Sequence, residues 1–113
     1  MTQEHLIRNI PFAETLETEG LVEYAPGQVV SRTLARRDTV NITVFAFDAG
    51  ESISTHSAPG DALVQVLAGE AVVTIDGVDH AIGTGQCIVM PANIPHGVRA
   101  EKRFKMLLTV VKP

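Results

Sequence analysis

Short apolar segments, cut at close intervals by glycine or proline, run through this chain from Leu21 to Val111. Helical periodicity is almost absent. Segments this short with alternating polarity bury one face only as strands of antiparallel sheets. Leu21-Val22-Glu23-Tyr24 is a first apolar run, stopped by Pro26-Gly27. Strands are then expected from Val29 to Leu34 and, longest of all, from Thr39 to Phe47. In that longest segment Val40, Ile42, Val44 and Ala46 share one face, and Asn41, Thr43, Phe45 and Phe47 share the other. A face carrying two phenylalanines must meet a second sheet or a second subunit. Further strands are expected over 62–67, 70–75, 78–82, 87–90, 97–100 and 104–111. Asp76-Gly77 is the clearest hairpin signal, because a type I′ turn needs positive φ at both central residues. Ala68-Gly69 and the Gly83/Gly85 pair mark further corners, and Pro91 and Pro95 bracket a tight loop. The series predicts an all-β sandwich or barrel.

At 113 residues the chain fits one domain. Residues 1–20 read as an N-terminal arm, and 21–113 as a single barrel. Within the arm, Pro11-Phe12 followed by Glu14, Thr15 and Leu16 suits either a helical turn or a segment packed across a sheet. The net charge of -4, with basic residues scattered, argues against a nucleic-acid partner. A lone cysteine, Cys87, forms no internal disulfide, and no apolar run approaches the ~20 residues that span a bilayer. The first ten residues carry no apolar leader core, so the expected compartment is the cytoplasm, with no membrane contact.

Two stretches say more. Gly50-Glu-Ser-Ile-Ser-Thr-His56 places a histidine after a glycine and five intervening residues, and Gly69 follows downstream. Gly85-Gln-Cys-Ile-Val-Met-Pro91 places a proline after the same interval, and His96 comes five positions later. Together they resemble the two sequence motifs of the cupin family. The resemblance implies a double-stranded β-helix, a jelly-roll barrel of two antiparallel sheets. It implies a frequent homodimer and one enclosed pocket, where three histidines and a glutamate often hold a divalent metal.

Transferred position by position, the ligand set is half present. His56 and His96 match. The second histidine slot is Ala58, and the glutamate slot ahead of Gly69 is Ala62. Asn93 stands where a glycine usual in the second motif would be, and Ala100 stands at the closing asparagine slot. Two imidazoles alone leave a divalent ion (Zn, Mn, Fe or Ni) to complete its shell from water or substrate, so any such binding is expected to be weak. Asp61 is the nearest substitute carboxylate, but strand alternation points it away from the face of residue 62.

The pocket is therefore expected to involve His56, Ala58, Ala62, Met90 and His96, with His56 and His96 as the metal candidates. Met90 equally suits the core. His80 and His5 are expected to be solvent-exposed, Gln65 to face outward, and Cys87 to behave as a small apolar strand residue. Two functional readings follow. One is a module that binds a small organic molecule in a widened apolar pocket. The other is a metal-dependent cupin enzyme of dioxygenase, isomerase or lyase type, using His56 and His96 with water or a chelating substrate.

Overall fold

The computed structural model describes residues 5–113. Among them are nine strands: β1 (Val29–Arg36), β2 (Val40–Phe47), β3 (Ser52–His56), β4 (Asp61–Ala68), β5 (Glu70–Ile75), β6 (Val78–Gly83), β7 (Cys87–Met90), β8 (His96–Arg99) and β9 (Phe104–Val111). They form a five-stranded sheet in the order β1-β2-β9-β4-β7 and a four-stranded sheet in the order β3-β8-β5-β6, with every pairing antiparallel. The strand spacing predicts an all-β sandwich or barrel, and this is the jelly-roll form that the cupin resemblance implies.

β2 shows why both faces of the larger sheet are apolar. Its Phe47 turns inward and stacks on Phe104 of β9, its cross-strand partner, with ring centroids 4.5 Å apart. These rings join Val64, Val66, Val73 and Met106 in the core between the sheets. On the opposite face, Val44 and Ala46 are fully buried, clustered with Leu34 of β1 and with Leu21 and Val22 of the N-terminal segment. That second face is covered by the chain's own N-terminal segment. Each fully buried valine or phenylalanine contributes ~1.5–3 kcal/mol, so β2 is held from both sides.

The covering segment differs from its sequence reading in one respect. Leu21 ends a short 3-10 turn (Thr18–Leu21), and Val22 to Tyr24 pair with no strand. Their apolar run serves packing on a sheet face rather than a place in a ladder. Upstream, residues 11–16 form no helix. The backbone N–H of Arg8 donates to the Leu34 carbonyl at 2.7 Å, and Asn9 Nδ2 donates to the Thr33 carbonyl at 2.7 Å. The arm thus runs along β1.

Charges fasten the seam. Lys105, only 8% exposed, donates from Nζ to the Glu19 carbonyl at 2.8 Å. Its ammonium lies 5.0 Å from the centroid of the Tyr24 ring, and the Arg103 guanidinium lies 5.1 Å from the same centroid. Arg103 Nε also donates to Asp48 at 2.8 Å, and the Gly27 and Ala49 N–H groups donate to the same carboxylate.

Turn chemistry follows the sequence. Asp76 and Gly77 have φ of 49° and 80°, the two positive values a type I′ hairpin needs. Gly69 has φ +82°, and a Cβ there would sit 2.5 Å from the Arg103 carbonyl oxygen, so only glycine fits between β4 and β5.

The Arg103 guanidinium, followed by the two backbone donors, holds the Asp48 carboxyl down at about 2, against an ordinary 3.8. Its folded-state pKa is depressed, so its stabilisation is complete above 3.8 and is lost as pH falls toward about 2. Urea midpoints for the native protein and Asp48→Asn are therefore expected to differ most near neutral pH and to converge in that acid window.

Candidate functional site

Regular pairing of β3 with β8 would place the wrong residue in the barrel. Ile53 lies opposite Val98, so an unbroken ladder would set Thr55 opposite His96. Instead the register shifts between Ile53 and His56, and His56 lies opposite His96. This extra residue is a β-bulge, and it turns His56 onto the same face as Ile53. Gly97 makes room for it. A Cβ at Gly97 would meet the Ile53 carbonyl oxygen at 3.1 Å and the Thr55 nitrogen at 3.3 Å.

The two rings meet edge to face, with centroids 4.6 Å apart. His56 Nδ1 lies 2.9 Å from the Ser54 carbonyl oxygen, and His96 Nδ1 lies 3.0 Å from the Ile94 carbonyl oxygen. A carbonyl only accepts, so each Nδ1 carries a proton, and a ring with no second proton keeps its lone pair on Nε2. His96 is buried, His56 exposed. Burial pushes the His96 imidazole below its ordinary 6.5, opposed by the Ile94 hydrogen bond and reinforced by the charge of His56.

Beside the pair lies a cavity of about 150 Å³. All five pocket positions expected from sequence line it: His56, Ala58, Ala62, Met90 and His96. Met90, only 3% exposed, is both core and lining. The remaining wall is apolar side chains the sequence did not single out, chiefly Ile53, Val98, Met106, Leu108 and Val110, together with Gly60. In sequence these resemble any other inward strand residue, and only their convergence marks them. Cross-strand from Val110 stands Asn41, whose Oδ1 is buried without a hydrogen-bond partner.

Residues 43–112 match the family described as the cupin domain. The chain is a cupin. Its structure is similar to that of a conserved protein of unknown function from Streptococcus pyogenes, with 46% identity and a TM-score of 0.96, covering 99% of this chain and 98% of that one. A cupin superfamily protein from Desulfitobacterium hafniense is 34% identical with a TM-score of 0.90, covering 95% of this chain and 98% of that one. A salicylate 1,2-dioxygenase from Pseudoaminobacter salicylatoxidans matches at 20% identity and a TM-score of 0.69, over 84% of this chain and 28% of that one, a likeness of fold alone. No curated protein matches.

Against the metal site common among cupins, the donors present fall short. Ala58 and Ala62 supply none, and Asp61 is exposed, its Oδ1 accepting from the Ala92 N–H at 2.8 Å. That contact ties β4 to the loop after β7, so Asp61 faces away from the cavity as alternation predicts. No group of three or more His, Cys, Asp or Glu side chains among the described residues is placed to share an ion. Two imidazoles do not fill the four-coordinate shell of a divalent metal. Asn93 occupies the glycine slot with φ of 63°, a conformation asparagine tolerates, and its N–H donates to the Ala58 carbonyl at 2.7 Å.

Four other positions were singled out in the sequence. His5 is exposed, its ring 4.6 Å from that of Phe12, and Gln65 is exposed. His80 is half-buried rather than exposed, because it pairs with the inward-facing Val73. Cys87 is exposed rather than packed, since β7 is an edge strand and residue 87 is turned to its outer face.

Restoring donors should restore the metal. The double variant Ala58→His/Ala62→Glu is expected to retain about one zinc per chain after desalting, whereas the native cupin retains far less; elemental analysis of both reads the difference.

Proposed function

We propose that this cupin binds a small organic molecule in the cavity between its sheets, without a resident divalent metal, and that it acts as a homodimer. The observation that carries the reading is the lining itself. Alanine at both lost ligand slots leaves space and removes charge, and the surrounding wall is apolar except for the two histidines. A cytoplasmic setting suits a chain with one exposed thiol, and no helix among the described residues is long and apolar enough to cross a membrane.

The metalloenzyme reading keeps one supporting observation. Both rings donate Nδ1–H to backbone carbonyls, the outer-shell arrangement that orients metal-binding imidazoles. Under that reading a chelating substrate or water would fill the remaining coordination positions.

Calorimetric titration with small apolar probes, with and without EDTA, separates the two. Binding is expected to be unchanged by the chelator and lost in Ala62→Phe, whose ring fills the cavity. At a ligand concentration of 100 Kd the native fold should gain ~2.7 kcal/mol against urea. Near-stoichiometric metal, lost in both His56→Ala and His96→Ala, would instead favour the metalloenzyme.

For the dimer, the support is the half of the larger sheet that the N-terminal segment leaves uncovered. Its outer face carries Val89 at 49% and Val111 at 58% exposure, with Leu63 between β7 and β9. Light scattering should give twice the chain mass, and Val89→Asp should halve it; a native monomer at micromolar concentration would remove this part of the proposal.

A further inference from the structure

We infer that the molecule this cavity selects is a neutral alcohol or phenol about the size of benzene, donating its hydroxyl proton to Nε2 of His96. The inference rests on the binding reading above and adds the ligand's chemistry. Volume sets the size. An engineered apolar cavity of about 150 Å³ in another protein takes up benzene, and this one is of the same volume.

Polarity sets the functional group. Among the described residues, His56 and His96 are the only nitrogen- or oxygen-bearing side chains of the lining. With each Nδ1–H already given to a backbone carbonyl, both rings offer the cavity an acceptor and no donor. Met90 and Met106 add thioether sulfurs, which only accept. A ligand that also only accepts leaves these groups unmatched. A carboxylate meets no lysine or arginine in the lining, and its desolvation goes uncompensated. An ammonium ion meets no carboxylate there and suffers the same cost. A neutral hydroxyl gives its one proton to one of these acceptors without burying charge. His96 is the partner because it is the buried member of the pair, where a hydrogen bond displaces least water.

Titration of the full chain near neutral pH with phenol, benzene and benzoate tests this. Phenol keeps its proton there, as tyrosine does. It is expected to bind about fivefold to tenfold more tightly than benzene, the gain of one hydrogen bond, with benzoate weakest of the three. His96→Leu should abolish the advantage of phenol while benzene still binds. In the native protein, phenol should shift the nitrogen-15 resonance of His96 Nε2 more than that of Nδ1, a readout that needs no variant to fold. Benzoate binding more tightly than phenol, or phenol no better than benzene, overturns the hydroxyl inference and leaves the binding reading standing. Absence of binding by all three overturns both.

Discussion

One additional residue in β3 determines what faces into this barrel. A strand that kept its alternation from Ile53 would present Thr55 to the interior and His56 to solvent. The bulge exchanges them, and Gly97 on the neighbouring strand is what lets the bulged backbone lie close. The residue after His96 is thus as constrained as His96 itself. A side chain at 97 would press on the bulged backbone on which the inward placement of the other histidine depends. The pair is a property of two paired strands rather than of either histidine alone.

The alanines at 58 and 62 act on shape and polarity together. A carboxylate or imidazole at either position would fill volume and bring a donor atom; a methyl group does neither. The backbone contacts around these two positions hold the histidine pair in place. Ser54 and Ile94 still orient the two rings through their carbonyls, and Asn93 still ties its loop to Ala58. Each of these contacts ends on a backbone carbonyl, which changes at the ligand slots do not remove.

Much of the architecture was legible from alternation and turn chemistry. β5 and β9 run between the residues expected, and Asp76-Gly77 forms the turn its residues favour. β3 was not legible, because Ser52, Ser54 and Thr55 give no apolar alternation and its one clear inward residue is Ile53. The run from Leu21 to Tyr24 misled for the opposite reason: it is apolar because it covers a sheet face, and periodicity does not distinguish covering from pairing. The misplacement of Cys87 has a topological cause, since nothing local says that β7 lies at an edge. At the site, resemblance supplied His56 and His96, but the bulge and the orientation of their protons depend on contacts between strands distant in sequence.

The seam between the N-terminal segment and the larger sheet carries a consequence for spectroscopy. Tyr24 is the chain's single tyrosine, and there is no tryptophan. It is half-buried beside two cations, on the outer face of the sheet whose inner face lines the cavity. The protein's intrinsic ultraviolet emission therefore comes essentially from one ring, and that ring watches the outer seam rather than the pocket. A non-absorbing molecule, such as an aliphatic alcohol, that fills the cavity and leaves the sheet undisturbed leaves that emission unchanged. A change in that emission on addition of such a non-absorbing ligand is a sign that the two faces of the sheet communicate.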